Sequence, residues 1–461
     1  MKKTNLTIGA LLLGSVLFVS NFVACSNGDS GGTGAAGTTG AGGTTGAAGT
    51  GAAGTGAPSD GGAGTGSGPT DGGGSATLAD GKCASGAFKR DGVCQCQGSV
   101  PNICGDSCTD IKLDNDNCGA CGMKCTGSST CNAGVCGPAA TNVLPKVTGC
   151  GELSIALSAD KIYYADKLHG TISSVAKTGG AATALTGATT EKAPTAIAVS
   201  GTNVLWINNV PGAGQMVAST IRKSANGAAP VDLVTATANG GGIRGMVVSA
   251  DGNTVYYSTG VYVKSIPMAG GTSTDVAMEE HEGIPGALAM DGDKIVYPTD
   301  LNGDVDVIKV VAGTVAKCGK EDPANPGSYL MVNCVRIARS QGSLKKEVIL
   351  AFGGWAYWID GGAIKGGELA PAGTAANDQI ASTMLNPIAG MAVNPAKSNI
   401  YFTEYDANAP TGMSGLVQKA GKAKESPQSA IARNQVAPGS IAVDATKVFW
   451  AAECEINATT P

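Results

Sequence analysis

Seven polar residues recur at one position of a repeated sequence, directly after an aliphatic and aromatic pair. They are Asp166, Asn208, Thr259, Asp300, Asp360, Glu404 and Glu453. Oxygen atoms are the ligands that Ca²⁺ prefers in proteins. If the repeats surround an axis, a ring of such oxygens could hold a divalent cation, with Asp166, Asp300, Asp360 and Glu404 as its candidate ligands. A structural role is the favoured alternative, because buried polar groups need hydrogen-bond partners.

Other residue types that carry catalysis or metal binding are scarce. His169 and His281 are the only histidines, and each lacks a recognisable partner motif, so we interpret both as solvated loop residues. The acids and amides at 114–117 lack the glycine and terminal glutamate of an EF-hand loop, and we predict a turn there. No G-x-S-x-G, H-E-x-x-H or P-loop pattern occurs. A net charge of −5 without a basic stripe argues against nucleic acid as a partner.

The cysteines indicate an oxidising compartment. The chain has 15 of them: Cys25 alone near the front, ten from Cys83 to Cys136, and four further on. The two larger sets are even, as disulfides require. Among the four, the predicted pairs are Cys150 with Cys454 and Cys318 with Cys334.

The sequence does not determine which of the ten cysteines from Cys83 to Cys136 pair with one another. A zinc site at Cys118, Cys121 and Cys125 is an alternative, because C-x2-C spacing suits tetrahedral sulfur coordination. We favour disulfides, since the segment contains no histidine and disulfides prevail outside the cytoplasm.

Short strand hairpins must position the recurring polar residues. Each of seven copies has an apolar strand, a polar turn and a strand that ends in the aromatic pair, as in AIAVSGTNVLWIN. The second members of the pairs are Tyr164, Trp206, Tyr257, Tyr297, Trp358, Phe402 and Trp450. Their spacing, from 40 residues between Tyr257 and Tyr297 to 61 between Tyr297 and Trp358, fits propeller blades.

A second hairpin follows six of the copies, for example VDVIKVVAGTVAKC after the fourth. We therefore predict an all-β fold with a seven-bladed β-propeller over residues 139–461. The degenerate fifth copy, VILAFGGWAYWID, leaves six or eight blades open, and two β-sandwich domains are the less favoured alternative.

The end of the chain predicts how the ring closes. Only 11 residues follow Trp450, too few for a second hairpin. We expect the last blade to take a strand from residues 142–148, ahead of the first blade. This pairing removes the open sheet edges, and a disulfide between Cys150 and Cys454 would lock it.

The repeats KIYYAD, VLWINN, TVYYST, AYWID and NIYFTE resemble those of YWTD-type and NHL-type propellers. The resemblance covers about residues 140–461 and implies a fold without an activity. In YWTD-type propellers the matching acid mostly makes interblade hydrogen bonds, which implies the structural role for these residues. The run at 104–136, with NCGACG, resembles the cysteine-rich module of stigma-specific proteins, which implies an extracellular location.

Residues 1–24 resemble a bacterial lipoprotein signal peptide. Two lysines precede an apolar run from Leu6 to Val19, and FVA stands directly before Cys25. The resemblance implies cleavage before Cys25 and lipidation of that cysteine, and Ser26 after it implies the outer membrane. An ordinary secretory signal is the alternative. Residues 25–80 are mostly Gly, Ala and Thr and predict a disordered tether, followed by a disulfide module at 81–138.

Together these features predict an envelope-anchored lipoprotein that faces the periplasm or the outside. Lipid, tether, disulfide module and propeller favour display of a recognition module for a protein, glycan or cell-wall ligand. The alternative is a divalent-cation-dependent propeller enzyme of lactonase or lyase type. The sequence leaves the ligand, the binding face and any cofactor beyond the candidate Ca²⁺ ring unspecified.

Overall fold

The computed structural model describes most of the chain after Cys83. The described residues are 87–90, 93–96, 102–104, 107–109, 111, 114–126, 129–132, 135–138, 140–187, 191–211, 217–236, 242–279, 283–300, 304–321, 329–339, 344–360, 362–369, 378–382, 387–405 and 415–460. The predicted signal peptide, Cys25, the tether at 25–80 and His281 lie outside them. No helix within these ranges is long and apolar enough to span a bilayer.

Two compact units divide the chain, Asn27–Asp110 and a larger one that includes Ile111–Pro461. The described part of the first unit consists of two short antiparallel hairpins. They pair β1 (Ala87–Arg90) with β2 (Val93–Cys96) and β3 (Asn102–Cys104) with β4 (Ser107–Thr109). Cys104 and Cys108 are both disulfide-bonded.

The remainder of the cysteine-rich segment belongs to the larger unit. Its hairpin pairs β5 (Ser129–Asn132) with β6 (Val135–Pro138). The disulfides are Cys118–Cys131 and Cys125–Cys136, and Cys121 is also disulfide-bonded. All three candidate zinc ligands are therefore oxidised, and none offers a thiolate.

The acids and amides at 114–117 form the turn that the sequence predicts. The Asp116 N–H donates to Asp114 Oδ1 at 2.7 Å. The Asn115 side chain accepts a hydrogen bond from the Cys131 N–H at 2.6 Å, which ties the turn to the hairpin.

Seven blades follow, and their strands alternate between apolar and small side chains as sheet strands buried on both faces require. Blades 1 and 2 contain β8 (Leu153–Leu157), β9 (Lys161–Asp166), β10 (Thr171–Ala176), β11 (Thr183–Ala184), β12 (Pro194–Ser200), β13 (Asn203–Pro211), β14 (Val217–Ala225) and β15 (Val231–Ala236). Blades 3 and 4 contain β16 (Ile243–Val248), β17 (Thr254–Thr259), β18 (Tyr262–Pro267), β19 (Thr274–Glu279), β20 (Ala289–Asp291), β21 (Lys294–Pro298), β22 (Asp304–Lys309) and, after an insertion, β25 (Cys334–Arg339).

Blades 5 to 7 complete the ring, and the degenerate fifth copy forms a full blade. They contain β26 (Leu344–Phe352), β27 (Trp355–Asp360), β28 (Ala363–Glu368), β29 (Asp378–Ser382), β30 (Ile388–Val393), β31 (Asn399–Glu404), β32 (Gly415–Gly421), β33 (Gln428–Gln435), β34 (Pro438–Val443), β35 (Val448–Ala452), β36 (Glu455–Thr459) and β7 (Thr141–Leu144). The first strand of each blade contacts those of both neighbours, and β34 contacts β8. The predicted seven-bladed propeller is confirmed.

The ring closes with a strand from before the first blade, as predicted. Strand β7 pairs antiparallel with β36, with Leu144 opposite Ile456. The Val147 N–H then donates to the Cys454 carbonyl at 2.9 Å. A disulfide joins Cys150 to Cys454 with their Cα atoms 5.6 Å apart, which is the pair that the sequence proposes.

The insertion between β22 and β25 of blade 4 corrects one sequence prediction. The stretch VDVIKVVAGTVAKC does not form a hairpin within the fourth blade. Its last three residues begin β23 (Ala316–Glu321), which pairs parallel with β19 of blade 3 and antiparallel with β24 (Tyr329–Val332). Strand β25 takes the outer place beside β22. The local sequence did not reveal the pairing of β23, because its partner is the outer edge of β19, which lies in the neighbouring blade.

A second disulfide crosses from blade to blade at this insertion. Cys318 lies in β23, which belongs to the sheet of blade 3, and Cys334 begins β25 of blade 4. The bond therefore links two sheets. It is also the pair that the sequence proposes.

The core lies between the blades, where large side chains of one sheet meet small ones of the next. Trp206 of blade 2 is fully buried and clusters with Ala156, Ala165 and Ile172 of blade 1. Phe449 of blade 7 clusters likewise with blade 1. Each interface exists only while both neighbours are in place.

The ring-closing disulfide should matter for stability because it joins residues 304 apart in sequence. We expect the double variant Cys150→Ala/Cys454→Ala to lose about 2–5 kcal/mol of unfolding free energy. Denaturant unfolding of the full chain under non-reducing conditions measures this. The control is the wild type after full reduction, which should be no more stable than the variant. An unchanged unfolding midpoint in the variant would contradict the role of this bond.

Candidate functional site

The recurring polar residues lie where the second strand of a blade ends and its first strand begins. In the antiparallel register, Asp166 is opposite Leu153, Asn208 is opposite Pro194 and Glu404 is opposite Ile388. These ends lie on one face of the propeller, which we call the rim face. Thr259 and Asp360 occupy the same position in blades 3 and 5.

Two members of the predicted ring are out of register by one residue. In blade 4 it is Thr299 that pairs, with Pro285, and in blade 7 it is Ala452, with Pro438. Asp300 and Glu453 follow them by one position. The aromatic pair therefore predicts the paired residue at the strand end only to within one position. In blade 4 that residue forms an isolated bridge outside the regular ladder, and in blade 7 it is an alanine, which has no polar side chain.

Asp166 has a side chain only 3% exposed and uses both of its carboxylate oxygens locally. Oδ1 accepts hydrogen bonds from the backbone N–H groups of Gly151, Leu168 and His169, at 3.1 to 3.2 Å. Oδ2 lies 2.7 Å from His169 Nδ1. This carboxylate organises the turn that follows its strand and the segment that enters the blade.

The same bond to the entering segment recurs in two other blades. Asn208 Oδ1 accepts from the Lys192 N–H at 2.8 Å, and Asp300 Oδ1 accepts from the Ile284 N–H at 2.7 Å. Asp300 Oδ2 also pairs with Arg244 of blade 3 at 2.7 Å, an ion pair between blades. The recurring polar residue thus fixes the backbone where the chain enters a blade.

The remaining acids of the predicted ring also have local partners. Asp360 Oδ2 accepts from Lys365 Nζ at 2.7 Å, the buried Glu404 accepts from Gln418 Nε2, and Glu453 pairs with Lys146. Among the described residues there are two groups of potential metal ligands in which the ligand atoms of each group lie within 4.8 Å of one another, and none of the four cation candidates belongs to either group.

Hydroxyl groups one position earlier make the hydrogen bonds between blades, and the sequence prediction missed them. Thr403 Oγ1 donates to the Gly439 carbonyl of the next blade, and Ser258 Oγ donates to the Gly286 carbonyl, both at 2.6 Å. The strands approach so closely here that a Cβ at Gly390 would lie 2.7 Å from the Gly439 oxygen. A glycine opposite a hydroxyl was the available sequence signal.

His169 lies in a turn and is partly exposed, as predicted for a solvated loop residue, but it also has a partner that no sequence motif indicated. Its Nδ1 contacts the buried Asp166 carboxylate, while 43% of the side chain is exposed. The carboxylate fixes the orientation of the ring, with Nδ1 turned inward. The partner could not be recognised from sequence, since i, i+3 spacing in a turn has no characteristic motif.

One of the two potential ligand groups is buried between blades 3 and 4 and contains Glu279, Asp306, Cys318 and Cys334. Its sulfur atoms form a disulfide, so it offers no thiolate. The Tyr297 hydroxyl donates to Glu279 Oε1 at 2.6 Å, and burial holds the pKa of Tyr297 well above 10.

Arg336 completes this buried cluster. Its Nε lies 3.0 Å from Asp304 Oδ2 and 3.2 Å from Asp306 Oδ1. We interpret the whole cluster as the polar core of the interface between the two blades, because its charges have fixed partners.

An open cavity of about 240 Å³ lies on the rim face beside the ring closure. It is lined by Cys150, Gly151, Glu152, Leu153, Ala389, Tyr405, Ala437, Pro438, Gly439, Ala451, Glu453 and Cys454. These residues come from blades 1, 6 and 7. No single repeat contains the cavity, which explains why sequence analysis did not find it.

The titratable groups of the cavity are shifted by their surroundings. Burial raises the pKa of Glu152, although Lys167 Nζ, 3.5 Å from Oε2, opposes the shift. Burial also raises the pKa of Tyr405, and the negative charge of Glu152 adds to this. The phenol therefore remains a hydrogen-bond donor at neutral pH.

The backbone of the cavity includes two unusual conformations. Ala437 and Glu453 have positive φ angles of 41° and 52°, in the left-handed region that non-glycine residues seldom occupy. Such conformations persist only where the surrounding structure imposes them, and they concentrate at binding and active sites.

Comparisons with known proteins identified no family. No family model matches the sequence, and no curated protein matches it. Virginiamycin B lyase from Staphylococcus aureus aligns at 13% identity and a TM-score of 0.49, over 70% of this chain and 98% of that chain. A catalytically inactive form of that lyase with quinupristin aligns at 12% identity and 0.47, over 70% and 100%.

A nidogen/laminin complex structure aligns at 13% identity and a TM-score of 0.36, over 52% of this chain and 90% of that chain. Similarities this distant carry no argument about activity or binding. The class of this protein, a seven-bladed β-propeller closed by its N-terminal strand and a disulfide, is defined by its own strand topology.

Two acids should give opposite pH dependences of stability. Because the folded pKa of Glu152 is raised, stability falls as pH rises above its ordinary value of 4.5. We expect Glu152→Gln to become more stable relative to wild type between about pH 4.5 and 7. Unfolding midpoints across this range measure the difference, and a difference independent of pH would contradict the assignment.

Asp444 provides the control of opposite sign. Burial opposes its ionisation, but hydrogen bonds from Lys177 and two backbone N–H groups outweigh burial and lower its pKa below 3.8. Asp444→Asn should therefore lose stability at neutral pH, and its deficit against wild type should shrink only as pH falls below 3.8.

Proposed function

We propose that this protein is an envelope-anchored lipoprotein whose propeller binds a protein, glycan or cell-wall ligand on its rim face. The observation that carries the proposal is the cavity of about 240 Å³ on that face. It combines apolar walls with a few convergent polar groups, Glu152, Tyr405 and Glu453, which is the composition of ligand sites.

The hydrogen bonds and ion pairs of the acids on the rim face favour a binding function over a cation-dependent reaction. A cation coordinated through both oxygens of Asp166 would compete with three backbone hydrogen bonds and with the contact to His169. Hydrogen bonds to a charged group each contribute about 1.5–3 kcal/mol. Asp300 and Asp360 are held in a similar way, by Arg244 and Lys365.

The front of the chain supports display at a surface. The lipobox-like sequence before Cys25 supports a lipid anchor, and the Gly, Ala and Thr-rich residues 25–80 support a flexible tether. A tether of some fifty residues has a root-mean-square reach of about 40 Å. This reach would let the propeller meet a ligand away from the bilayer surface.

A calcium titration separates this proposal from the lactonase-like or lyase-like alternative. A site with a Kd one hundredth of the added Ca²⁺ would add about 2.7 kcal/mol to stability and raise the Tm by several degrees. We expect less than about 1 °C difference between excess Ca²⁺ and excess EDTA for the full mature chain.

The matched variants are Asp300→Asn on the rim face and Asp293→Asn, which removes a charge from an exposed turn. A rise in Tm that depends on Ca²⁺ and disappears only in Asp300→Asn would favour the enzyme and contradict the binding proposal. The same titration with Mg²⁺ extends the test to other divalent cations.

Cys25 is the residue to change for the anchor. We expect Cys25→Ala to abolish incorporation of an alkyne-labelled fatty acid and to release the protein from the membrane fraction of its host cells. Ser26→Ala keeps the cysteine and should leave labelling intact. Labelling that persists in Cys25→Ala would contradict lipidation at this position.

A further inference from the structure

We infer that the cavity on the rim face is a subsite for one neutral sugar ring. This inference rests on the proposed binding function and names the chemical class of its ligand. It is carried by the size of the cavity, the balance of its charges, its apolar walls with one aromatic residue, and its rigid frame.

The size of the cavity limits the occupant to about one ring. Its volume of about 240 Å³ lies below the range of roughly 300–1,000 Å³ that is usual for drug-sized ligands. The cavity is open on one side, between blades 1, 6 and 7. A terminal residue of a longer chain could therefore enter it while the rest of the chain stays outside.

The charges of the cavity favour a neutral ligand. Glu152 is offset by Lys167 at 3.5 Å, and Glu453 is offset by its ion pair with Lys146. A charged ligand would gain from one member of each pair and lose to the other. A polyhydroxyl compound can instead donate hydrogen bonds to the Glu152 and Glu453 carboxylates that line the cavity, and such charge-assisted hydrogen bonds are stronger than neutral ones.

The remaining lining suits the alternating faces of a pyranose. Leu153, Ala389, Pro438 and Ala451 form apolar walls that can cover C–H groups. Tyr405 adds an aromatic ring and a hydroxyl that stays protonated, because burial raises its pKa. Tyrosine is a frequent choice where one side of a ligand is apolar and the other is wet.

The frame of the cavity is held in place before a ligand arrives. The disulfide Cys150–Cys454 forms part of the wall, and the Gly439 carbonyl is fixed by Thr403. Ala437 and Glu453 have imposed left-handed conformations. Preorganisation reduces the ordering cost of binding, which matters for a small ligand that makes few contacts.

The test is a titration of the full mature chain with free monosaccharides, followed by calorimetry and ligand-observed NMR. The neutral probes are glucose, galactose, mannose and N-acetylglucosamine, and the charged probes are glucosamine and glucuronic acid. We expect at least one neutral sugar to bind with a Kd of about 1 mM or below, which corresponds to about −4 kcal/mol. Both charged analogues should bind at least about tenfold more weakly.

Variants assign the binding to this cavity. We expect Tyr405→Ala and Glu152→Gln each to weaken binding at least tenfold, while Tyr405→Phe, which keeps the ring, loses threefold or less. Tyr262→Ala and Glu455→Gln, outside the cavity, are the matched controls and should leave the Kd unchanged. Cooperative thermal unfolding of every variant, with a Tm well above the assay temperature, shows that folding is intact.

Three outcomes would overturn the inference: no sugar binds at 50 mM, a charged analogue binds better than the neutral sugars, or the control variants weaken binding as much as the cavity variants. Cosedimentation of the full mature chain with purified cell-wall sacculi then distinguishes failure of the sugar subsite from failure of the proposed binding function. Cosedimentation that Glu152→Gln abolishes, without monosaccharide binding, leaves the proposed function standing and the sugar subsite rejected. No binding in either assay rejects the sugar subsite together with a glycan or cell-wall ligand, and leaves a protein as the ligand of the proposed function.

Discussion

Closure of the ring is the constraint on which the rest of this structure depends. Each blade has two faces, and each face is buried only against a neighbour, as Trp206 is against Ala156 and Ala165. An open ring would expose one face of blade 1 and one of blade 7, together with the edge of β36. The pairing of β7 with β36 covers that edge, and the bond between Cys150 and Cys454 holds the pair together.

The polar residues of the rim face serve the same constraint. A carboxylate or amide at the end of the second strand binds the backbone that enters the blade, as Asp166 and Asn208 do. Hydroxyls of Thr403 and Ser258 then bind the first strand of the next blade. These bonds position successive first strands around the axis, where large apolar side chains cannot fit between the closely approaching backbones.

Sequence reasoning predicted the features that depend on local pattern. The aromatic pairs predicted the blades, because each sheet buries a large side chain such as Trp450 at the same position. The small number of residues after Trp450 predicted that the last blade takes a strand from before the first. The addition of β23 to the sheet of blade 3 was not predictable, since its pairing partner is 39 residues away in a different repeat. The histidine partner, the one-residue shift at Thr299 and the cavity all depend on three-dimensional neighbours.

The cavity and the ring closure share residues, so the proposed ligand binding depends on the integrity of the fold. Cys150, Cys454 and Glu453 close the ring and also line the cavity, whereas Ala389 and Tyr405 come from blade 6. A ligand in the cavity can touch all three blades only when the ring is closed. Any ligand that binds the closed ring and not the open one must stabilise closure by mass action. The seam is thus one of the places where the blades depart from the repeat, and it supplies Cys150, Cys454 and Glu453 to the proposed site.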